Sequence, residues 1–398
     1  MTGPRRTLRP HPIQGAATTD PGCTDIPTIT EQRDMIMTTT TDPTAIDLGR
    51  VEAFAGQVSA DLTHAYHSIS TYLGDRLGLW RALAQLGSAT SAELAERCGL
   101  AERYVHEWLC VQAAAGYVLL EDGGDAGADV FVLPAEHAMV LADDDSPAAI
   151  VAGFEVAAAI WASVDQLAHA YATGDGVPWH AHDSRLFSGV ERFYGTIYRA
   201  SLLSEWIPAI DGLEQRLSEG IRVLDVGCGH GVPTILLAEA FPNSTFVGVD
   251  SHEESVRRAT AAAAAAGVGD RVRFEVAGAH SYDGDYDAIV FFDALHDFGD
   301  PVGALEHARS SLRAGGQVIA VEPLAHDTLA ENLTNPVALL FYSGSSYLCV
   351  PHSIADGATS LGAQAGPARL LDTFRAAGLP SAHVAATTAS NLLLEARI

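Results

Sequence analysis

The stretch that decides the fold is VLDVGCGHG, residues 223–231, an apolar run that ends in three glycines separated by single residues. A short apolar run closed by glycines is typical of a buried strand, and Pro233 just beyond it favours the first turn of a helix. A loop between strand and helix opens at the carboxyl end of the strand, where α/β sheets bind ligands. The sequence therefore predicts a ligand site at this loop.

The glycine spacing argues against a dinucleotide. Residues 227–232 read GCGHGV, whereas the dinucleotide fingerprint requires GxGxxG. Asp225 would repel a pyrophosphate but would attract a ligand with ammonium and sulfonium charge. The next predicted strand ends at Asp250, 23 residues after Gly227, where an acid can accept hydrogen bonds from ribose hydroxyls.

The remainder of the chain repeats the strand and helix alternation. Seven apolar runs are separated by helical patterns: IRVLDV, STFVGVD, RVRFEV, YDAIVFF, QVIAVE, AHVAAT and NLLLEA. This alternation predicts an α/β fold with a doubly wound sheet over residues 215–398. Between the fifth and sixth runs, residues 325–368 are too long for an ordinary connection and are apolar and aromatic, so we expect a lid insertion there.

The N-terminal part has a different pattern. Within residues 46–145, two short helical segments are followed by the β-like runs YVLLE and DVFVLP around a glycine-rich tip, which predicts an α-helical winged-helix domain. Residues 146–214 read as a helical linker and cap. Residues 1–45 lack hydrophobic periodicity and are expected to be disordered. Met35 and Met37 lie near the end of that segment, and we hypothesise that translation starts there. N-terminal mass spectrometry that finds Met1 or Thr2 would contradict this hypothesis.

The charge balance excludes several functions. The chain has 50 acidic residues, 23 arginines and no lysine, a formal net charge of −27, so lysine chemistry is excluded and nucleic acid and anionic membranes are disfavoured. The winged-helix segment carries 5 Arg and 16 acidic residues, which favours a dimerisation or substrate-capping module over a DNA reader. Five scattered cysteines without CxxC spacing, and no apolar run of membrane-spanning length, lead us to expect a cytoplasmic protein.

DVGCGHG followed by VGVD resembles the cofactor site of class I S-adenosylmethionine-dependent methyltransferases. From about residue 50 the chain is similar to a two-domain bacterial group with an N-terminal winged helix, through YLGDRLGL, AERYVHEWL, FFDALHDFGDP and LLLEAR. The resemblance implies a Rossmann-like seven-stranded sheet whose last strand is antiparallel. It also implies S-adenosyl-L-methionine as cofactor, a small-molecule methyl acceptor, and a homodimer formed through the winged-helix domain.

The resemblance also assigns the cofactor site. The residues expected to contact the cofactor are Asp225, Gly227, Cys228, Gly229, Gly231, Asp250, Ser251, Gly278, Ala279 and Asp293. Many members carry Asp or Glu for the adenine amino group after the third strand, but here the run is EVAGAHS. We therefore expect adenine to rely on backbone groups and apolar contacts at Gly278 and Ala279.

The candidate base is His296, which follows the fourth strand in FFDALHDFGDP. The triplet LHD resembles the catalytic loop of phenol-type O-methyltransferases, where the histidine is the base and an acid at the end of the fifth strand, here Glu322, orients it. The alternative is a structural histidine before a helix. The residues expected to form the acceptor pocket are Tyr194, Tyr198, Phe341, Tyr342 and Tyr347.

No metal is predicted. His180 and His182 form an HxH pair in PWHAHD, but no third ligand is identifiable, so a pocket-lining or surface loop is favoured.

The sequence thus predicts methyl transfer to a small aromatic or apolar acceptor, with oxygen favoured over nitrogen or carbon. The alternative is a cofactor-sensing winged-helix transcription regulator with a non-catalytic methyltransferase fold. Nucleic acid methylation is disfavoured, because the chain lacks an Asn/Asp-Pro-Pro-aromatic run after the fourth strand and has no Pro-Cys pair.

Overall fold

A computed structural model describes residues 46–121, 128–357 and 359–398. The disordered segment expected at residues 1–45 lies outside the described residues. The chain divides into two compact units, of which the second is Leu62–Ile398. None of the helices in the described ranges combines the length and apolarity needed to cross a bilayer.

The first elements form the predicted winged helix. Its helices are α1 (Leu48–Arg76), α2 (Leu79–Leu86), α3 (Ser91–Cys98), α4 (Glu102–Ala114) and α5 (Ala135–Leu141). Its three-stranded sheet has the order β1 (Ser88–Ala89), β3 (Val130–Val132) and β2 (Leu119–Glu121), all antiparallel. A capping box between Thr90 and Glu93 starts α3, and Gly99 in the left-handed conformation ends it.

Five helices follow in the region predicted as linker and cap, and the last of them extends beyond the predicted end at residue 214. They are α6 (Ala152–Ala162), α7 (Val164–Thr173), α8 (Arg185–Ser201), α9 (Ile207–Ala209) and α10 (Leu213–Glu219). Helix α8 packs against α6, where the Cβ position of Gly189 lies 2.9 Å from a methyl carbon of Val156. The absence of a side chain at Gly189 therefore allows the two helices to approach closely.

The seven-stranded sheet confirms the predicted α/β class. Its strands are β4 (Arg222–Val226), β5 (Thr245–Asp250), β6 (Val272–Val276), β7 (Tyr286–Phe292), β8 (Leu312–Pro323), β9 (His383–Thr387) and β10 (Asn391–Arg397). The spatial order is β6-β5-β4-β7-β8-β10-β9. The first five strands are parallel, and β10 is antiparallel to both neighbours, as the resemblance implied.

The strand order places the site. The chain goes from β4 outward to β5 and β6 and then returns to the other side of β4 at β7. Helices cover both faces: α11 (Val232–Ala240), α12 (Glu253–Ala265), α13 (Pro301–Ser310) and α17 (Gly366–Ala376). The carboxyl ends of β4 and β7 therefore border the crevice where such sheets bind ligands.

The predicted insertion between β8 and α17 is helical. It contains α14 (Leu329–Asn332), α15 (Ala338–Gly344), a π-helical turn (Ser345–Cys349) and α16 (Val350–Asp356). Ser353 on α16 donates its hydroxyl hydrogen bond to the backbone oxygen of Asp297, at 3.0 Å, which ties the insertion to the loop after β7.

Candidate active site

A cavity of about 290 Å³ lies at the carboxyl ends of β4, β5 and β7. Its wall brings together the glycine loop, the loop after β7, helix α8 and the end of the insertion. Nine of the ten residues predicted to contact the cofactor line it. The tenth, Gly231, is not among the lining residues and packs against the ring of Phe274 instead.

Asp225 is the most deeply buried carboxylate in this wall, with 2% of its surface exposed. Thr234 donates a hydrogen bond to Oδ2 at 2.5 Å, whereas Oδ1 is buried and has no partner among the described residues. Burial raises the pKa of Asp225 to about 7, and the nearby Asp250 carboxylate adds to this, although the Thr234 hydrogen bond opposes it. A cationic ligand group at Oδ1 would supply the missing partner.

Asp250 closes β5 and holds the glycine loop. Its Oδ2 accepts from the backbone N–H of Gly229 and its Oδ1 accepts from that of His252, each at 2.9 Å. Burial raises the pKa of Asp250, and these two backbone hydrogen bonds lower it. Each oxygen retains a further lone pair toward the cavity, so the carboxylate can still accept from ribose hydroxyls.

The three loop glycines all have positive φ but serve different ends. A Cβ on Gly227 would lie 2.9 Å from Cβ of Ala294, and one on Gly231 would overlap the ring of Phe274. A Cβ on Gly229 would have no atom within 4 Å. Two glycines therefore permit packing, while Gly229 leaves open a space beside the cavity that a ligand can fill.

The residues expected beside adenine lie at one side of the cavity. Gly278 and Ala279 follow β6 and line the cavity, with Ser281 accepting from the Gly278 backbone N–H at 3.0 Å. Ser251 and Cys228 also border this part of the wall. Cys228 is buried, and burial raises the pKa of its thiol well above the ordinary value, so it is a packing group rather than a nucleophile.

Asp293 has a strained backbone. Its φ of 50° makes it the one non-glycine residue with positive φ among those described. Its carboxylate accepts from Asn391 at 3.2 Å and from Tyr198 at 3.5 Å. Burial and the Glu322 carboxylate raise the pKa of Asp293 to about 8. Such strain clusters at functional sites and fits a residue that turns the chain from β7 into the cavity.

His296 and Glu322 form a buried pair, as the resemblance implied. Nδ1 of His296 lies 2.5 Å from Oε2 of Glu322, and the other oxygen, Oε1, accepts from the backbone N–H of Leu295 at 3.0 Å. Both residues are almost fully buried, at 3% and 1% exposure. Glu322 therefore fixes the ring and leaves Nε2 as the atom available for chemistry.

Asp297 adds a second carboxylate to this group. Its Oδ1 lies 3.2 Å from Nε2 of His296 but accepts no hydrogen bond. Burial alone would lower the pKa of His296; the carboxylates of Asp297 and Glu322 outweigh it and raise the pKa well above the ordinary value. The two carboxylates therefore stabilise the protonated imidazole of His296.

One set of metal-ligand atoms occurs among the described residues. His296, Asp297 and Cys349 present ligand atoms within 4.8 Å of one another. Nε2 of His296 cannot bind a metal and accept a proton at the same time, because both use the same lone pair. Burial raises the pKa of Cys349 to about 12, so its thiol is protonated near neutral pH and is a poor ligand in that form.

The predicted acceptor residues divide into two groups. Tyr194 and Tyr198 on α8 line the cavity, and burial raises the pKa of each phenol well above its ordinary value. Phe341, Tyr342 and Tyr347 are not among the lining residues; Tyr342 instead accepts a hydrogen bond from Asn332 at 3.2 Å. The insertion presents other side chains to the cavity: Leu348, Cys349, His352 and Asp356.

Two aromatic residues of the wall were not predicted individually, although the sequence favoured a pocket-lining or surface loop at PWHAHD. Trp179 and Phe187, from the loop and the first turn of α8, form an edge-to-face aromatic pair at 6.0 Å. His182 from the same loop is buried but is not among the lining residues, and burial lowers its pKa to about 4. The aromatic residues in PWHAHDSRLF indicate a possible pocket wall. Whether their side chains face the cavity depends on how α8 packs, which the sequence does not show.

The charge of the cavity is one-sided. Six carboxylates line it, those of Glu191, Asp225, Asp250, Asp293, Asp297 and Asp356. Within the described part of the chain no arginine lines it, and the sequence contains no lysine. The cavity therefore favours a cationic or neutral ligand over a carboxylate.

Comparison with known proteins agrees with this geometry. Residues 217–366 match the family model described as a methyltransferase domain, and residues 65–143 match the Rv2258c-like winged HTH domain. The chain therefore contains a methyltransferase domain behind a winged helix-turn-helix domain.

Among curated proteins, the chain is similar to 27-O-demethylrifamycin SV methyltransferase of Amycolatopsis mediterranei. The two are 38% identical over 106 residues, which are 26% of this chain and 38% of that protein. The chain thus spans about two fifths of that relative's length.

Solved O-methyltransferases share the fold over most of the chain. The mitomycin 7-O-methyltransferase structure has a TM-score of 0.65 at 20% identity and covers 88% of this chain and 100% of that one. Human N-acetylserotonin methyltransferase, solved with S-adenosylmethionine, has a TM-score of 0.61 at 17% identity, covering 90% and 99%. The chain therefore shares the fold of these two solved methyltransferases over most of its length.

Proposed function

We propose that this protein transfers a methyl group from S-adenosyl-L-methionine to the hydroxyl oxygen of a small aromatic acceptor. The observation that carries the proposal is the buried His296–Glu322 pair opening onto the same cavity as Asp225 and Asp250. A base and a cofactor site on one cavity allow proton removal and methyl transfer to occur together.

The residues present fit S-adenosylmethionine. The partnerless Oδ1 of Asp225 suits the ammonium group, Asp250 suits the ribose, and the open space at Gly229 lets the ligand approach the backbone. When bound, the cofactor supplies an electrophilic methyl group on a sulfonium. The acidic cavity favours that cation over any anionic cofactor.

The acceptor hydroxyl gives its proton to Nε2 of His296. A bound cofactor would supply its methyl group to that oxygen, with the methyl–sulfur bond broken as the O–C bond forms. The products would be a methyl ether, S-adenosylhomocysteine and an imidazolium on His296 that returns its proton to water. Glu322 holds the ring at Nδ1, and Asp297 stabilises the charge that develops at Nε2. The aromatic wall excludes water and orients the acceptor.

The wall also indicates the acceptor class. Tyr194, Tyr198 and Trp179 offer aromatic faces, while the carboxylates and the missing arginine disfavour an acidic acceptor. An uncharged or cationic aromatic alcohol fits best. The names of two similar proteins, a 27-O-demethylrifamycin and a mitomycin 7-O-methyltransferase, each specify oxygen as the methylated atom, which supports oxygen here.

The experiment that tests the proposal is turnover of a panel of phenols with labelled S-adenosylmethionine. His296→Ala is expected to lower kcat by about 10²- to 10⁴-fold, the usual contribution of a general base, while calorimetric binding of S-adenosylhomocysteine stays unchanged. His383→Ala, a substitution of an exposed histidine on β9, is the matched control and keeps full activity. Full turnover in His296→Ala would remove the base assignment.

We further propose a homodimer formed through α1. Apolar side chains recur on one face of this helix at three- and four-residue spacing and are exposed: Leu62 57%, Tyr66 69%, Ile69 58% and Leu73 42%. This spacing is the seam of a two-helix interface, and a second copy brings the identical seam. The proposed partner is therefore a second copy of the chain.

The regulator alternative gains no support from the winged helix. Arg103, the single arginine of α4, is paired with Glu107 on the same helix. A helix without free cationic side chains lacks the phosphate contacts that DNA binding requires. We therefore propose no nucleic acid partner, and the cytoplasmic location suggested by the cysteines stays a prediction.

A further inference from the structure

His230 stands inside the glycine loop and is not used by the proposed chemistry. It is 7% exposed and lines the cavity. Its Nδ1 lies 2.6 Å from Oε2 of Glu191 on α8. Its Nε2 is buried and has no hydrogen-bond partner among the described residues. A buried polar atom facing a cavity without a partner indicates a ligand group.

The charges around the cavity show which group that is. S-adenosylmethionine carries an ammonium, a sulfonium and a carboxylate, and six carboxylates of the wall suit the two cations. The ligand carboxylate has no arginine or lysine to meet it in the described wall. It therefore needs a donor of another type, and a buried carboxylate without one would be strongly disfavoured.

His230 lies where such a donor is required. It follows Gly229, whose open space receives the ligand, and it immediately precedes Gly231, the residue before α11. The first turn of α11 adds the positive end of its helix dipole, which attracts anions. Glu191 fixes the ring from behind, and its own pKa is lowered chiefly by His230 against the opposing effect of burial.

We propose that Nε2 of His230 donates a hydrogen bond to the α-carboxylate of the methionine part of the cofactor, with Glu191 as the positioning residue at Nδ1. The inference rests on the proposed function. Donation from both ring nitrogens uses the imidazolium form of His230. His230 thus discriminates for the intact amino acid of the cofactor.

The test compares two ligands that differ only in that carboxylate. S-adenosylmethionine and decarboxylated S-adenosylmethionine are titrated calorimetrically into the full chain. The wild type is expected to prefer the intact cofactor by about ten- to a hundredfold, the range for a charged hydrogen bond. His230→Ala is expected to lose that preference while its affinity for the decarboxylated ligand stays the same.

Two further variants make the result decisive. Glu191→Gln keeps the hydrogen bond to Nδ1 but removes the charge, and is expected to reduce the preference without unfolding the loop. His169→Ala removes a histidine from an exposed histidine–carboxylate pair, with Asp175, and keeps the wild-type preference.

Equal losses for both ligands in His230→Ala and Glu191→Gln, or an unchanged preference in both, would overturn the role of His230. Equal affinities of the wild type for the two ligands would overturn it as well. Failure of the wild type to bind either ligand would instead overturn the proposed cofactor, so the two failures are distinguishable.

Discussion

At the scale of single residues, the site is governed by buried carboxylates whose charge depends on the ligand. Asp225 has a pKa of about 7 because burial disfavours its ionised form. An ammonium at Oδ1 favours ionisation, so ligand binding lowers this pKa and releases a proton. It follows that cofactor affinity weakens as pH falls below about 7, since the ammonium must then compete with a proton.

The prediction is a release of about half a proton on S-adenosylhomocysteine binding at pH 7, where a group of this pKa is half protonated. Calorimetry in buffers of different ionisation enthalpy measures the number directly. Asp225→Asn is expected to bind more weakly and to release none through this residue. 5′-Methylthioadenosine, which lacks the ammonium, is the matched ligand control; the same release with that ligand would contradict the assignment.

The charge of His296 also depends on the buried carboxylates around it. Two carboxylates raise its pKa, so the imidazole is a stronger base that is neutral only at higher pH. Methyl transfer is therefore expected to rise with pH through a midpoint above 6.5, the ordinary value. Asp297→Asn removes one of the two charges and is expected to shift that midpoint toward lower pH in a profile of kcat. A profile that does not move would show that Asp297 does not act on Nε2.

At the scale of elements, different glycines of the loop are expected to serve the stability of the fold and the binding of the cofactor. Gly231→Ala combines a left-handed backbone with overlap on Phe274 and is expected to lower the free energy of unfolding by at least about 2 kcal/mol. Gly229→Ala meets no neighbour within 4 Å and is expected to cost about 1 kcal/mol from its positive φ, while its Cβ intrudes on the ligand space and lowers cofactor affinity.

Denaturant unfolding and calorimetry on the two variants test this separation. The comparison is internally matched, because both variants add one methyl group to the same loop. If the two variants had equal unfolding free energies and equal cofactor affinities, the separation would be contradicted. Equal affinities would show that the ligand does not use the open space at Gly229.

The exposed face of α1 gives another prediction at this scale. Ile69→Asp places a charge in the proposed seam and is expected to give a monomer in sedimentation velocity. His64→Asp is the matched control, because His64 is exposed and lies two residues, about 200°, around the helix from Leu62. A wild-type monomer would contradict the dimer, and so would a dimer that survives Ile69→Asp.

The elements also show what sequence reasoning can reach. The strands were predictable because each is a short apolar run closed by a turn, and the winged helix because its caps are local signals. Residue type alone points to Phe341, Tyr342 and Tyr347 as acceptor-pocket residues. The face of the insertion that meets the cavity instead carries Cys349, His352 and Asp356. Their spacing of three and four residues marks one helix face, but nothing local tells which face turns inward.

Contacts between elements that are distant in the sequence were harder still to predict. The pair of His296 and Glu322 could be expected, because a family resemblance supplied both positions. The pair of His230 and Glu191 spans 39 residues and depends on how α8 lies against the glycine loop. Sequence periodicity carries no information about that register, so Glu191 could only be found in the structure.

At the scale of the whole molecule, helix α8 connects the winged helix to the cavity within Leu62–Ile398. Arg192 binds Asp75 at the end of α1 with its two terminal nitrogens, at 2.7 and 3.0 Å, and reaches Asp144 at 2.8 Å. Asp75 is 5% exposed. The next residue back along α8 is Glu191, which holds the glycine loop through His230. Adjacent residues of one helix thus contact both domains.

Arg192→Met leaves the buried Asp75 carboxylate with Arg81 alone, at 3.2 Å, and is expected to lower the free energy of unfolding by about 3 kcal/mol. The same helix positions Glu191, Tyr194 and Tyr198. Loss of its contact with Asp75 is therefore expected to weaken S-adenosylhomocysteine binding as well.

Arg199→Met is the matched control, because Arg199 lies on the same helix but contacts Asp144 only at its backbone oxygen. This variant is expected to leave binding unchanged. Adding Asp75→Leu to Arg192→Met removes the buried carboxylate that has lost its main partner and is expected to recover stability. Denaturant unfolding and calorimetry report the two effects separately, and an unstable Arg192→Met that binds with wild-type affinity would show that the winged helix stabilises the chain without shaping the site.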